Sequence, residues 1–315
     1  MISKIRQCLG FLIAGILLFF LLKPFVQTHA QLKDIAFRIQ RHQLLLSFGV
    51  LLLYRSVYTY PFATLMSGIT QKQVSFRNAW MLFHLANITR YLPGRVWGVV
   101  RLISLSQQFG LSRTTVGGGF TLHVSIETAL GGLIAMSLLF SKQTQATAQT
   151  VLERISGHTL LFTLVGLGVI ASVLFFISTV SAHAHQLLKM LRNIGTPLFQ
   201  KSFWDQWLNI FATHLLLWCC QGLAFFLFVR SLAPVGWTNV GVLTACYAFA
   251  WIVGFLSFLT PGGLGVREGL LSLLLSIYMS VSQATLVALL CRVWILSAEL
   301  ILAGSAFYLH KKSNF

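Results

Sequence analysis

Residues 92–101 read Leu-Pro-Gly-Arg-Val-Trp-Gly-Val-Val-Arg, and residues 260–268 read Thr-Pro-Gly-Gly-Leu-Gly-Val-Arg-Glu. Each stretch interrupts a long apolar tract with a Pro-Gly turn that is soon followed by arginine. Proline removes a backbone donor and glycine frees the backbone, so each turn should end one helix and begin another. Paired interruptions at corresponding places in two halves of a membrane chain are typical of a transporter-like binding site.

The composition is that of a membrane protein. Of 315 residues, 56% are hydrophobic and only 9% are charged, whereas a soluble domain has about 25% charged residues. Charge-poor tracts of about 20 residues, the length that crosses a hydrocarbon core, recur along the chain. No polar segment is long enough for a separate soluble domain. Residues 1–315 are therefore expected to form a single membrane domain.

The apolar pattern predicts an all-α polytopic membrane protein with six full-length helices and two broken helical hairpins. The full-length helices are expected at 8–22, 43–66, 114–140, 159–180, 207–230 and 285–308. The arms of the hairpins are expected at 76–91 with 96–107 and at 239–260 with 264–280. Whether these arms cross the bilayer or re-enter it stays open. A signal peptide is the alternative interpretation of the first tract.

Landmarks around the two hairpins repeat in the same order. An Arg-Ser pair precedes each hairpin, at Arg55 and at Arg230, and a lone glutamate follows each, Glu127 and then Glu299. We therefore expect two inverted repeats, 1–145 and 155–315. The distribution of Lys and Arg among the loops favours cytoplasmic positions for both termini.

The net charge of +17 comes from 23 Lys and Arg against 6 Asp and Glu. Two interpretations compete: basic loops beside anionic lipid headgroups, and an interior that binds anions. Basic stripes interleaved with a water-exposed aromatic platform are absent from the sequence. This absence argues against nucleic acid as a partner.

Arginines outnumber acidic residues inside the apolar tracts, seven to three. The arginines are Arg55, Arg90, Arg95, Arg101, Arg230, Arg267 and Arg292, and the acidic residues are Glu127, Glu268 and Glu299. A charged side chain at mid-bilayer costs at least about 2.5–3.5 kcal/mol, so these groups need partners or a wet cavity. The surplus of arginine indicates an anionic ligand, because the guanidinium fork binds phosphate or carboxylate bidentately.

Residues at and beside the two turns are the candidate ligand-binding residues: Pro93, Gly94, Arg95, Arg101, Pro261, Gly262, Gly263 and Arg267. Helices that begin after these turns would point backbone N–H groups and a positive dipole end at an anion. Arg55, Arg113 and Arg230 are instead expected to snorkel to the interface or to pair with glutamate.

Four charged residues are expected to balance charge or to couple protons: Glu127, Glu268, Arg292 and Glu299. His123 lies four residues before Glu127, and Arg292 lies seven before Glu299, spacings that place each pair on one helical face. Such pairs are either structural salt bridges or protonatable groups that couple transport to a proton gradient.

Three polar residues, His84, Asn87 and Tyr91, share one face of the first hairpin arm. They predict a cavity lining or, alternatively, a polar seam that hydrogen-bonds to neighbouring helices. No hydrolase elbow, metalloprotease helix, phosphate-cradling loop or metal-ligand spacing occurs in the sequence. We therefore expect no cofactor, no metal and no catalytic site, with an intramembrane enzyme acting through Glu127 or His84 as a weaker alternative.

The Arg-Ser pairs, the motif at 93–101 and the motif Pro-Gly-Gly-Leu-Gly-Val-Arg-Glu-Gly at 261–269 resemble the lysylphosphatidylglycerol synthase transmembrane region family, also called flippase-like domain proteins. The resemblance covers nearly the whole chain, and Trp97 departs from the first motif. It implies a multi-helix inner-membrane protein of bacterial type that moves, or helps to handle, phosphate-bearing lipids. Some relatives carry a soluble aminoacyl-transferase domain, which residues 1–315 lack, so lysyl-lipid synthesis is not implied.

Two functions follow as hypotheses. The first is a translocase for an anionic, phosphate-bearing lipid, whose headgroup would be held between the two hairpins near the middle of the bilayer. The second is a non-transporting membrane partner of a glycosyltransferase or of another lipid-modifying enzyme. The sequence leaves the lipid and the oligomeric state open.

Overall fold

A computed structural model describes residues 39–91, 97–140, 197–198, 200–257 and 265–313. Across these residues the regular secondary structure is helical, without strands. The all-α prediction is thus confirmed for this part of the chain. The predicted helices at 8–22 and 159–180 lie outside it, as do both Pro-Gly turns.

The described α-helices are α1 (Arg41–Val57), α2 (Thr59–Thr70), α3 (Phe76–Asn87), α4 (Trp97–Leu105), α5 (Arg113–Met136), α6 (Trp204–Leu232), α7 (Val240–Leu256), α8 (Val266–Leu275) and α9 (Val281–Ser313). Among the described residues, four segments are long and apolar enough to span a bilayer: Arg113–Met136, Trp204–Leu232, Trp237–Leu256 and Val281–Lys312. The count of six full-length spans stays a prediction.

The single helix expected at 43–66 is in fact two. Helix α1 ends at Val57 and α2 begins at Thr59. Pro61 explains the break, because it has no N–H to donate to the Val57 carbonyl and its ring crowds that carbonyl. Tyr58 therefore lies at the joint between the helices, with its backbone N–H still donating to the Tyr54 carbonyl at 2.9 Å.

The arms of both hairpins agree with the predicted ones to within a few residues. Helix α3 continues into a 3₁₀ turn at Ile88–Tyr91, and it packs against α4. Helix α7 packs against α8. The connecting segments, 92–96 and 258–264, lie outside the described residues.

The described residues form two compact units. The N-hairpin unit takes its residues from Gly49–Leu130, Ser178–Gln221 and Ile295–Phe315, and the C-hairpin unit from Met1–Phe48, Gly131–Ile177 and Gly222–Trp294. A buried apolar cluster of the N-hairpin unit consists of Leu65, Leu198, Phe203 and Ile210. One of the C-hairpin unit consists of Leu138, Ala245 and Cys246. The inverted repeats 1–145 and 155–315 stay a prediction.

Close packing in the C-hairpin unit depends on Gly222 of α6. A Cβ atom at this position would lie 2.2 Å from the hydroxyl oxygen of Thr244 on α7. That distance is far shorter than a van der Waals contact. The Thr244 side chain therefore packs directly on the backbone of α6 at Gly222. Gly241, also on α7, has nothing within 4 Å of the corresponding position.

We predict that Gly222→Ala destabilises the protein by about 1–3 kcal/mol, because the added methyl group overpacks the contact with Thr244. The measurement is the unfolding temperature of the purified protein in detergent. Gly241→Ala is the matched control, and we expect it to be neutral or stabilising because alanine favours helix by about 1 kcal/mol. A wild-type unfolding temperature for Gly222→Ala would show that α6 and α7 do not meet there.

Candidate functional site

A buried carboxylate in the N-hairpin unit bridges two arginines. Glu299 lies on α9, and its Oε1 atom is 3.3 Å from Arg55 Nη1 and 2.5 Å from Arg90 Nη2. Arg55 belongs to α1 and Arg90 to the 3₁₀ turn after α3. The side chains of Glu299 and Arg55 are 3% and 9% exposed, whereas that of Arg90 is 35% exposed. Arg90 is thus the member of this cluster that a ligand can reach.

The returning arm of the first hairpin lies directly against Arg90. A Cβ atom at Gly98, in the first turn of α4, would be 3.1 Å from Arg90 Cβ. The hydroxyl of Thr89 donates to the Trp97 carbonyl at 3.0 Å. Glycine at position 98 therefore permits the close approach that keeps the start of α4 beside the Glu299 ion pairs.

His84 lies beside the same cluster. Its ring packs on those of Trp80 and Phe83, with centroid distances of 4.7 and 5.4 Å, and it interacts electrostatically with Arg55 and Glu299. Of the two residues predicted to share its face, Asn87 is half-buried. Tyr91 ends the 3₁₀ turn, and its side chain lies outside the described part. The cavity lining stays a prediction.

A second polar cluster surrounds Glu127 on α5. Tyr58 donates a short hydrogen bond to its carboxylate and Tyr54 a longer one of 3.4 Å. On α6, Trp218 Nε1 donates to the Glu127 carbonyl at 3.1 Å. The crevice between these side chains and His214 has no room for a water-sized sphere. This is a packed polar cluster rather than a substrate cavity.

A salt bridge between His123 and Glu127, one of the two alternatives for this pair, does not occur in the described structure. His123 Nδ1 instead lies 3.0 Å from His214 Nε2 of α6, and the His123 ring packs on that of Tyr58 with a centroid distance of 4.5 Å. The side chains gathered here are called the Glu127 cluster: Tyr54, Tyr58, His123, Glu127, His214 and Trp218.

Glu268 has two structural roles in the C-hairpin unit. Its Oε2 atom accepts a hydrogen bond of 2.8 Å from the backbone N–H of Gly265, and its Oε1 atom lies 3.6 Å from Arg292 Nη1. The carboxylate thus caps the N-terminus of α8, where the helix dipole favours negative charge. Gly265 has φ of +82°, a conformation that glycine adopts without strain.

Arg267 lies between the two arms of the second hairpin. It is 8% exposed, and its guanidinium carbon is 5.0 Å from the centre of the Tyr247 ring. A Cβ atom at Gly254 of α7 would be 2.8 Å from Arg267 Cβ, so glycine is needed there too. The aromatic face stabilises the buried cation by up to about 2 kcal/mol.

The remaining arginines take separate positions. Arg101 is exposed on α4 and has no ion pair within the described residues. Arg230 stacks on Trp237, with 4.7 Å from its guanidinium carbon to the ring centre. Six predicted ligand-binding residues lie outside the described part: Pro93, Gly94, Arg95, Pro261, Gly262 and Gly263.

Sequence reasoning assigned no role to four residues of these clusters, namely Tyr54, Tyr58, His214 and Trp218, and it named Arg90 only as one of seven arginines in the apolar tracts. A signal existed for His214, because a lone titratable side chain in an apolar helix needs a partner. No feature of the sequence singled out Tyr54 or Tyr58, since tyrosine is common in membrane helices. No group of three or more His, Cys, Asp or Glu suited to a metal lies in the part of the chain that the structure describes.

Comparison with known families decides the affiliation. The family model described as lysylphosphatidylglycerol synthase TM region matches residues 7–303. The chain belongs to this family. As a member of the lysylphosphatidylglycerol synthase transmembrane region family, it is a membrane protein of lipid metabolism or transport. Neither the curated proteins nor the solved structures include a match to the chain.

We predict that Arg55→Gln destabilises the protein by about 1.5–3 kcal/mol, because buried Glu299 loses one of its two charged partners and keeps Arg90. The double variant Arg55→Gln/Glu299→Gln should lose less than the sum of the two single variants. The free energy of unfolding in detergent is the measurement, and Asp205→Asn, which alters an exposed carboxylate on α6, is the control. Additive losses would mean that the two residues do not interact.

Proposed function

We propose that this family member moves an anionic, phosphate-bearing lipid or lipid-linked intermediate between the leaflets of a bacterial-type cytoplasmic membrane. The observation that carries the proposal is the sharing of buried Glu299 by Arg55 and Arg90. These three side chains together carry a net positive charge within a membrane domain. Such a group attracts an anionic headgroup, because few other counter-charges exist in the bilayer interior.

Arg90 is the residue proposed to contact the headgroup in the N-hairpin unit. Its guanidinium is a flat fork of donors that fits two phosphate oxygens at once. Its side chain is 35% exposed, which gives an approaching ligand access. Arg55 Nη1 lies 3.3 Å from Glu299, so its role in the proposal is to hold this carboxylate, which in turn orients Arg90.

The turn after Arg90 belongs to the same proposed site. Gly94 would let a headgroup approach the backbone, and the N–H groups after Pro93 would face the anion. Arg95 and Arg101 would add charge on the returning arm. His84, Asn87 and Tyr91 would line the approach. All of these roles follow from the sequence pattern together with the position of Arg90.

In the C-hairpin unit the proposed contact is Arg267, next to the turn at Pro261, Gly262 and Gly263. The Tyr247 ring holds its guanidinium within 5.0 Å, which limits the conformations of a long side chain. Glu268 and Arg292 balance each other's charge at 3.6 Å. In the proposal they keep the start of α8 in place and do not contact the lipid.

The topology proposed for this function is an inverted repeat, 1–145 and 155–315, with both termini in the cytoplasm. The distribution of Lys and Arg among the loops supports this orientation. Two inverted halves with broken helices suit alternating exposure of a headgroup to the two sides. Moving a lipid requires no covalent step, so the proposed protein is a transporter rather than an enzyme.

We predict that Arg90→Gln and Arg267→Gln each slow lipid movement by about tenfold or more, the effect of losing about 1.4 kcal/mol of headgroup binding. The assay uses fluorescent phosphatidylglycerol in phosphatidylcholine proteoliposomes and follows its accessibility to a membrane-impermeant quencher. Arg113→Gln is the matched control, because Arg113 is exposed and donates only to Gln107, at 3.4 Å, among the described residues.

Monodisperse elution from a sizing column checks that each variant is folded. Rates that stay within about twofold of wild type for both Arg90→Gln and Arg267→Gln would reject the assigned roles. A folded wild-type protein that moves no lipid, and that co-purifies with a glycosyltransferase or lipid-modifying enzyme, would instead support the non-transporting alternative.

A further inference from the structure

The Glu127 cluster differs from the two other buried carboxylates of the described structure in its partners. Glu268 and Glu299 both have arginine partners. Glu127 has no ion pair in the described residues, and its carboxylate accepts hydrogen bonds from the hydroxyls of Tyr54 and Tyr58. A guanidinium can only donate, and it holds a carboxylate in its charged form. A tyrosine hydroxyl both donates and accepts, so it serves a carboxylate and a carboxylic acid equally.

The histidine pair beside Glu127 has a defined direction of hydrogen bonding. His214 Nδ1 lies 2.8 Å from the Ile210 carbonyl, which can only accept, so this nitrogen carries a proton. In a neutral ring His214 Nε2 is then an acceptor, and His123 Nδ1 donates to it at 3.0 Å. By the same reasoning His123 Nε2 bears a lone pair.

That lone pair has no hydrogen-bond partner among the described residues. The His123 side chain is 0% exposed, and a buried polar atom without a partner is uncommon in a native structure. A proton bound at Nε2 would be shared with the second ring, because the Nδ1–H of His123 already donates to His214 Nε2.

We propose that the Glu127 cluster is a proton-binding site, with His123 Nε2 and the Glu127 carboxylate as the groups that gain and lose the proton. This inference rests on the proposed function, because it assigns proton binding as the event coupled to lipid movement. The titratable or charged groups that face these two residues are Tyr54, Tyr58, His214, Arg55 and Arg90.

The charges determine whether proton binding strengthens or weakens binding of the lipid headgroup. Arg55 and Arg90 interact electrostatically with Glu127. Protonation of Glu127 removes a negative charge beside them, which raises the positive potential at Arg90 and strengthens its attraction for an anionic headgroup. Linkage is reciprocal, so a bound headgroup must favour proton uptake by the same factor. Proton and anionic lipid are therefore taken up together.

The first test measures proton binding without transport. Infrared difference spectra of the full chain in lipid, titrated between about pH 5 and about pH 9, should contain the carbonyl stretch of a carboxyl group that gains a proton. We expect this band to vanish in Glu127→Gln and to persist in Asp205→Asn, whose carboxylate is exposed. Tyr58→Phe, a milder change, should shift the band because one hydrogen bond is lost.

The second test measures coupling with fluorescent phosphatidylglycerol in the same proteoliposomes. A pH difference across the membrane should change the wild-type rate by about threefold or more, with less than about twofold change in Glu127→Gln and in His123→Asn. A titrating carboxyl band that survives in Glu127→Gln, or the lack of any such band in wild type, overturns the proton site.

The outcomes separate this inference from the proposed function. Wild-type protein that moves the lipid at a rate independent of the pH difference overturns the coupling and leaves translocation standing. Wild-type protein that moves no lipid rejects translocation together with coupling. The infrared band then decides by itself whether the Glu127 cluster binds a proton.

Discussion

Buried carboxylates control the arrangement of this membrane domain, because the bilayer interior offers no water to solvate them. Glu299 forms ion pairs with Arg55 and Arg90, which lie in two separate segments. These pairs hold α1 and the end of the first hairpin arm against α9. Glu268 pairs with Arg292 and accepts a hydrogen bond from the backbone N–H of Gly265, and these contacts stabilise the start of α8. Removing Glu299 would deprive the buried guanidinium of Arg55 of this counter-charge, which is far more costly than the loss of a partner by an exposed charge.

Each hairpin places an arginine against a glycine of the opposite arm. In the first, Arg90 ends the descending arm and Gly98 begins the returning one; in the second, Gly254 lies on the descending arm and Arg267 on the returning one. A Cβ atom at Gly98 or Gly254 would lie 3.1 or 2.8 Å from the Cβ atom of the facing arginine and would push the two arms apart. The hairpin turns thus matter for more than reversing the chain, because the close approach of their arms positions the charge proposed to meet the lipid headgroup.

The sequence predicted the helices well and the partners of the charged residues poorly. Apolar tracts set the limits of α5, α6 and α9 to within a few residues, and Pro61 explains the one helix that was wrongly predicted to be continuous. Arg90 was named among the apolar-tract arginines but not grouped with His84, because an α-helical period of about 100° per residue turns it away from that face. The 3₁₀ turn at Ile88–Tyr91 advances about 120° per residue and brings it back toward that face.

The sequence by itself determined the membrane class, the helical architecture, the excess of arginine over glutamate in the apolar tracts and the family, because these depend on composition, local periodicity and contiguous motifs. Only the tertiary structure decided which arginine meets which glutamate, and that Glu127 meets tyrosines instead. The spacings suggested His123 with Glu127, yet His123 pairs with His214, 91 residues away along the chain. A buried polar side chain pairs with whichever polar group lies next to it in space. Helix packing decides that neighbour, and it can come from any distance along the chain.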